Sequence, residues 1–160
     1  MSIPRATYRI QFREGMDFDK AAALAPYLRR LGVSPLYASP IFTAARGSTH
    51  GYDVADHNEI DPGLGGREGF DRLVAALKAE GLKLLLDIVP NHMAAAVENP
   101  WWRSVVEWGE QSPFAAHFDI DWGKAGAMGV TADNVATLLQ IAWTGAYVND
   151  FVDRGRIKRV

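Results

Sequence analysis

The sequence contains no cysteine among its 160 residues. It therefore cannot form a disulfide framework, a thiolate nucleophile or a cysteine-ligated zinc site. A chain without cysteine fits a reducing compartment, so we expect a cytoplasmic location. We also expect no signal peptide, because residues 1–12 mix Arg5 and Arg9 with single apolar residues and lack the continuous apolar core that export requires.

Long apolar runs and an excess of charge are missing as well. The apolar residues 82–90 fall far short of the ~20 residues that span a bilayer, and they include Lys83 and Asp87. The net charge is −2, whereas phosphate backbones and acidic membranes are bound by clustered Lys and Arg. We therefore expect neither a nucleic-acid partner nor a membrane partner. The composition, 48% hydrophobic and 22% charged, is typical of a globular chain that can bury a core.

Strand-like and helix-like segments alternate in the first half of the chain. The patterns predict strands at residues 7–12, about five residues around Leu36 and Tyr37, and residues 82–89. Helical spacing predicts helices at residues 18–31 and 70–77, although Pro26 could restrict the first to its second half. Residues 43–66, rich in Gly, Ser, His and Asp, are predicted to form a long loop. This alternation indicates an α/β fold with parallel strands, which both a barrel and an open sheet satisfy.

The pattern weakens after Asn91. Residues 100–110 predict a short aromatic helix, residues 118–122 a short extended segment and residues 131–143 a helix. We therefore divide the chain into residues 1–122, which carry the α/β pattern, and residues 123–160, a divergent and partly helical tail.

Polar groups gather where the third predicted strand ends, in the string DIVPNH of residues 87–92. The carboxyl end of a parallel strand holds the residues that follow it rigidly, so Asp87, Asn91 and His92 are candidate binding residues for sugar hydroxyls. A structural interpretation is equally open, because an Asp after a strand often caps a loop and a single His often only completes a local hydrogen bond.

A second polar cluster lies in the string GSTHGYDV of residues 47–54, which supplies His50, Tyr52 and Asp53. An aromatic ring packs on the C–H face of a pyranose, while neighbouring His and Asp side chains bond its hydroxyls. The alternative is that Tyr52 anchors the loop and Asp53 is a turn residue.

These strings resemble signature regions of the alpha-amylase superfamily. DIVPNH resembles the first signature region, and GYDV (51–54), IDP (60–62) and LGG (64–66) resemble its upstream companion. Within the superfamily, TYRIQF (7–12), LYASPIF (36–42) and GSTHGYDV (47–54) resemble maltooligosyl trehalose synthases. The resemblance covers roughly residues 5–122.

The resemblance implies the N-terminal part of a (β/α)8 barrel, with about three βα units and no closure of the barrel in this chain. In the sugar site at the carboxyl ends of the strands, Tyr52 would stack on the glucose of the −1 subsite and His92 would bond its primary hydroxyl. Asp87 would brace the site, and Asn91 would support the loop after the third strand. We expect no metal and no cofactor.

The implied reaction is an intramolecular transglucosylation of maltooligosaccharides or other starch-derived glucans, a step of trehalose biosynthesis. Such a retaining reaction needs two carboxyl groups about 5 to 5.5 Å apart, and the family places its catalytic carboxylates on later strands. No matching motif follows Trp122, so we predict no catalytic residue, and it stays open whether the chain alone is an enzyme.

Two hypotheses follow. The first is a partial glycosyl-transferring enzyme that is inactive as this chain alone. The second is a non-catalytic carbohydrate-binding or assembly module derived from such an enzyme. In either case an open sheet edge predicts self-association, recruitment of a missing portion or aggregation.

Overall fold

The computed structural model describes residues 6–127, 150–153 and 156–159. The chain divides into two compact units, Met1–Pro100 and Trp101–Val160. The helix predicted for residues 131–143 lies outside the described residues. The division proposed between residues 122 and 123 stays a prediction.

The first unit has the predicted alternation of strands and helices. In chain order its elements are β1 (Tyr8–Ile10), α1 (Phe18–Ala23), α2 (Ala25–Leu31), β2 (Pro35–Ala38), β3 (Phe42–Ala44), β4 (Val54–Ile60), a 3-10 turn (Pro62–Leu64), α3 (Gly66–Ala79) and β5 (Lys83–Leu86). β1, β2 and β5 form a three-stranded parallel sheet in that order. Within the described residues β1 and β5 are therefore the two edges of this sheet.

The strand predicted for residues 82–89 is shorter than its apolar run. β5 ends at Leu86, opposite Ala38, the last residue of β2. One further hydrogen bond joins the Asp87 amide to the Ala38 carbonyl at 2.9 Å. Two residues after β2 the chain reaches Pro40, which has no N–H to extend a ladder. Asp87 consequently lies at the carboxyl end of the parallel sheet, as the sequence predicted.

The single helix predicted for residues 18–31 is two helices that meet at Leu24. Asp17 caps α1 by accepting a hydrogen bond from the Lys20 amide at 2.8 Å. Pro26 lies in the first turn of α2, where its missing N–H costs nothing. The proline therefore starts a second helix and does not abolish the first. α2 ends at Gly32, whose φ of +85° is favourable for glycine.

The core of the first unit lies between the parallel sheet and the helices. Phe18 is fully buried, and its ring makes edge contacts with Phe12 and Phe70 at centroid distances of 5.0 and 5.6 Å. The other largest side chains of this core are Leu28, Leu36, Leu73 and Leu77. Because α1, α2 and α3 all contribute to it, the helix-facing side of the sheet is closed by apolar packing.

The loop predicted for residues 43–66 is wrong in one respect, because it contains an antiparallel hairpin. β3 pairs with β4, and the register shifts on both sides of Thr43. Only Val54 and Ala55 of β4 are deeply buried, and polar residues follow them. Buried and exposed residues do not alternate along β4, and the register is irregular. The hairpin therefore lacks the regular apolar alternation by which strands are predicted.

In its described residues the second unit contains short helices, a group of aromatic contacts and a small hairpin. Its elements are α4 (Pro100–Trp108), 3-10 turns at Gly109–Gln111 and Ala115–His117, α5 (Trp122–Ala127), β6 (Asp150–Asp153) and β7 (Arg156–Arg159), the last two antiparallel. Trp101 stacks on Phe114 at a centroid distance of 5.2 Å, and Trp102 packs on Phe118 at 5.0 Å. The predicted aromatic helix is confirmed.

The extended segment predicted at residues 118–122 is confirmed only at its start, where Phe118 has extended backbone angles, and no strand forms there. Instead Asp121 accepts a hydrogen bond from the Lys124 amide at 2.9 Å, and α5 begins at Trp122. A carboxylate at this position caps a helix, which explains the difference.

None of the helices within the described residues combines the length and the apolar character needed to cross a bilayer.

Candidate functional site

Tyr52 and Asp87 meet at the carboxyl end of the parallel sheet. Tyr52 comes from the segment between β3 and β4, and Asp87 directly follows β5. The phenol oxygen of Tyr52 donates a hydrogen bond of 2.6 Å to Asp87 Oδ2. The structure thus brings together one residue from each of the two polar clusters, across 35 positions of sequence.

Arg9 on β1 joins this pair. Its Nη2 donates to the Tyr52 phenol oxygen at 3.0 Å and lies 3.5 Å from Asp87 Oδ2. Its guanidinium carbon lies 5.5 Å from the centre of the Tyr37 ring, within cation–π range. Arg9 and Tyr37 are register partners on β1 and β2, so all three parallel strands contribute to one polar cluster. We call Arg9, Tyr37, Tyr52 and Asp87 the tyrosine bracket.

The electrostatics of the tyrosine bracket follow from these contacts. The phenol hydrogen bond is the main cause that lowers the pKa of the Asp87 carboxyl below its ordinary value, and Tyr37 and Arg9 add to it. The same bond to Asp87 raises the pKa of the Tyr52 phenol. At neutral pH the bracket therefore holds a carboxylate and a neutral phenol.

His50 and Asp53 lie beside Tyr52 in the same segment. The His50 ring stacks near the Tyr52 ring, with centroids 5.9 Å apart, and its Nδ1 accepts the Tyr52 amide at 3.1 Å. His50 Nδ1 therefore already accepts one hydrogen bond. Its distance of 3.7 Å from Asp53 Oδ1 is too long for another. Asp53 accepts a hydrogen bond from Ser48. Their contacts are local, so a sugar-binding role for either stays a prediction.

Asn91 and His92 lie in the loop that follows β5, and both side chains are exposed. His92 Nδ1 lies 3.1 Å from Asn91 Oδ1. Their predicted roles toward a sugar therefore stay predictions.

Arg9 and Tyr37 belong to the bracket but were not among the residues predicted from the sequence. Both lie in strings that carry the family resemblance, but each lies within a strand, whereas the predicted binding residues follow predicted strands. The signal that could have found Arg9 is the alternation of β1. Successive side chains of a strand point to opposite faces, so Arg9 and Gln11 share a face while Ile10 and Phe12 enter the core.

A separate cavity of about 370 Å³ lies beside the tyrosine bracket. It is formed by the turn after β1 and by the segment after β3, and its lining includes Glu14, Arg46, Ser48 and Asp61 but neither Tyr52 nor Asp87. We place the candidate site at the bracket, because Tyr52 is partly exposed there and its polar contacts to Asp87 and Arg9 are already assembled.

Within the described residues, no group of three or more His, Asp or Glu side chains lies close enough together to ligate a metal ion.

Comparison with known proteins identifies the class. Residues 22–131 match the family described as alpha amylase, catalytic domain, which is more than half of the chain. This protein therefore belongs to the alpha-amylase family, whose catalytic domain is a (β/α)8 barrel, and the chain covers a fragment of that barrel with open sheets.

Within the family the chain is similar to maltooligosyl trehalose synthases. It is 48% identical to a Mycobacterium tuberculosis protein assigned as a maltooligosyl trehalose synthase, with 73% of this chain and 16% of that protein covered. The structure of maltooligosyltrehalose synthase from Arthrobacter ramosus matches with a TM-score of 0.74 and 43% identity, over 77% of this chain and 16% of that chain. The intracellular maltogenic amylase of Bacillus subtilis is 41% identical, over 75% of this chain and 19% of that protein. The chain thus spans about a sixth of the length of these synthases.

Proposed function

We propose that the tyrosine bracket is part of the glucose site of a maltooligosyl trehalose synthase, and that this chain contributes its first three βα units. The ligand is a maltooligosaccharide or another starch-derived glucan, and the pathway is trehalose biosynthesis, which we place in the cytoplasm.

The observation that carries this proposal is the 2.6 Å hydrogen bond between Tyr52 and Asp87. A tyrosine can hold a glucose ring only if its own ring is fixed, because every rotation that binding must arrest reduces affinity. Asp87 and Arg9 fix the phenol oxygen from two sides. Since His50 covers part of one ring face, the sugar packs its C–H groups on the other face.

The remaining residues surround this platform. We assign His92 to the primary hydroxyl of the sugar, with Asn91 supporting its loop through their 3.1 Å contact. Asp53 and His50 secure the segment that carries Tyr52, through bonds to Ser48 and to the Tyr52 amide. Asp87 serves as a brace and not as a nucleophile, because its Oδ2 is held by Tyr52 and Arg9.

The overall reaction of the complete site is intramolecular transglucosylation, which converts the reducing-end α-1,4 bond of the glucan into an α,α-1,1 bond. It requires a nucleophilic carboxylate and an acid/base carboxyl about 5 to 5.5 Å apart. In the bracket Asp87 is the one carboxyl group. We therefore propose that this chain alone binds glucans weakly without turning them over.

The second candidate function is a carbohydrate-binding or assembly module without catalysis in any setting. It rests on the same bracket, and it differs in predicting that no added portion of a synthase restores turnover.

Titration of the chain with maltopentaose, followed by tyrosine ring chemical shifts, tests the proposal. We expect a saturable change at millimolar sugar that disappears in Tyr52→Ala. The matched control is Tyr27→Ala, because Tyr27 is an exposed tyrosine on α2; this variant should bind as wild type does.

Two results would count against the proposal. Absence of a saturable change at millimolar maltopentaose removes sugar binding, and equal loss in the Tyr27→Ala and Tyr52→Ala variants removes the bracket as its location. Trehalose-forming or amylolytic turnover by the chain alone, lost in Tyr52→Ala, would contradict the proposed inactivity.

A further inference from the structure

We infer that Arg9 on the first strand, together with Gln11 and Arg13 just after it, positions the sugar-stacking ring of Tyr52 before any ligand arrives. The inference deepens the proposed function and rests on it for the identity of the ligand. In this arrangement Arg9 is a positioning residue for the glucose site and acts through Tyr52.

Arg9 acts on the side chain of Tyr52. It donates to the phenol oxygen at 3.0 Å, and its second nitrogen, Nη1, is held by Gln11 Oε1 at 2.9 Å. The planar guanidinium therefore bonds two partners at fixed angles and also faces the Tyr37 ring at 5.5 Å. A lysine at this position would keep the charge but not this geometry.

Gln11 acts on the backbone just before Tyr52. Its Nε2 donates to the His50 carbonyl at 3.2 Å and lies 3.4 Å from the Thr49 carbonyl. The same side chain thus supports Arg9 through its oxygen and the segment 49–52 through its nitrogen. β1 is hydrogen-bonded to β2. The two contacts of Gln11 therefore attach residues 49–52 to the parallel sheet.

Arg13 acts beneath the segment. Its guanidinium donates to the carbonyls of Pro40 and Phe42, each at 3.1 Å, and to Asp61 at 2.6 Å. The side chain is only 8% exposed, and Gly51 passes directly over it, since a Cβ placed there would lie 2.6 Å from Arg13 Nη1. Alternate residues 9, 11 and 13 therefore each restrain a different part of residues 49–52.

These contacts serve the position of Tyr52 more directly than the stability of the core. Arg9 is 37% exposed and Gln11 is exposed, so neither fills core volume. Exposed polar contacts contribute little to the free energy of unfolding. The contacts of Arg9 and Gln11 instead fix the position of the Tyr52 ring. A ring that is fixed before binding loses less conformational entropy when the sugar binds.

The test uses the full chain carrying 13C-labelled tyrosine, with the Tyr52 ring signal assigned from Tyr52→Phe. The pKa of the Tyr52 phenol and the Kd for maltopentaose are measured in wild type, Arg9→Met, Arg9→Lys and Gln11→Ala. Within the described residues, the titratable groups in contact with the Tyr52 side chain or amide are Arg9, Asp87 and His50. Arg30→Met, which removes one exposed arginine from the last turn of α2, is the matched control.

We expect Arg9→Met to raise the Tyr52 pKa above that of wild type, because the cation that favours the phenolate is gone while Asp87 stays. Affinity for maltopentaose should fall about tenfold, the size of one charge-assisted hydrogen bond. Arg9→Lys should restore most of the pKa but only part of the affinity, and Gln11→Ala should weaken binding with a smaller change in pKa. Arg30→Met should match wild type in both.

The inference is overturned if Arg9→Met leaves the Tyr52 pKa and ring shift at the wild-type values, or changes them no more than Arg30→Met does. A wild-type chain that binds no maltopentaose would instead contradict the proposed function, and the pKa comparison would still decide whether Arg9 positions Tyr52. The two failures are therefore distinguishable.

Discussion

Asp87 holds the tyrosine bracket together. Its Oδ2 accepts from Tyr52 at 2.6 Å and lies 3.5 Å from Arg9, and its amide bonds β2 at Ala38. One residue thus links the third parallel strand to the other two and to the segment that carries the ring. The side-chain bonds favour the carboxylate over the protonated acid, and they therefore lower the pKa of the Asp87 carboxyl.

The first prediction concerns the pH dependence of this link. Since folding lowers the Asp87 pKa, its stabilisation is complete above the ordinary carboxyl value of about 4 and is lost as pH falls through the lowered value. Asp87→Asn should therefore reduce the free energy of unfolding by about 1 kcal/mol at pH 7. The difference from wild type should shrink below about pH 4, as measured by urea unfolding from pH 7 to 3.

The control is Asp71→Asn, which removes an exposed partner of Arg67 on α3 and should change stability by only a few tenths of a kcal/mol or less. A difference between wild type and Asp87→Asn as large at pH 3 as at pH 7 would show that the carboxylate charge is not what stabilises the bracket.

At this scale the sequence predicted two members of the bracket. Tyr52 and Asp87 were predicted because they lie in polar strings, residues 47–54 and 87–92, that follow predicted strands. The end of a strand holds the residues that follow it in a fixed position. Arg9 and Tyr37 were missed because their contribution depends on register, which pairs Arg9 with Tyr37, and a sequence does not state which strands are neighbours. His92 and Asn91 share one local contact, which needs no tertiary knowledge.

Among the elements, the segment between β3 and β4 has the least regular structure and carries the most chemistry. Gly47 and Gly51 both have a φ of +81°, in the left-handed region that favours glycine. Their surroundings differ, because a Cβ on Gly47 would meet nothing within 4 Å and one on Gly51 would meet the Arg13 guanidinium. The pair therefore separates backbone strain from a steric conflict.

We predict that Gly51→Ala destabilises the protein more than Gly47→Ala. Both variants incur a backbone cost of about 1 to 2 kcal/mol. Gly51→Ala in addition displaces Arg13 from the Pro40 and Phe42 carbonyls, which adds about 2 kcal/mol. The free energies of unfolding in urea provide the comparison, and equal destabilisation by the two variants would mean that Arg13 does not support the segment.

The elements themselves were predicted where packing enforces a period. The strands of the parallel sheet and α3 follow from apolar spacing because their faces are buried. Two features did not follow. Pro26 divided one predicted helix into two, since proline is tolerated in a first turn, and the β3–β4 hairpin was missed because residues 56–59 of β4 are polar and its register shifts.

The whole molecule exposes apolar residues on and after the edge strand β5. Leu85 is 46% exposed and Ile88 58% exposed. In a closed barrel an edge strand is paired, and an exposed edge with apolar side chains favours association.

We therefore predict that the chain self-associates and that Ile88→Lys reduces the association, because a lysine at a sheet edge opposes pairing. Light scattering after size-exclusion chromatography over a range of concentrations gives the mass. Leu31→Lys is the control, since Leu31 is an apolar residue of similar exposure on α2. A strictly monomeric wild type, or equal effects of the two lysines, would refute an association through this edge.

The central claim is that a glucose ring binds against Tyr52 of the bracket. The most direct measurement is the set of intermolecular nuclear Overhauser effects between maltopentaose C–H protons and the aromatic ring protons of the chain. We predict effects to the Tyr52 ring that vanish in Tyr52→Ala and persist in Tyr27→Ala. Effects confined to other aromatic rings, with none to Tyr52 at saturating sugar, would contradict the account.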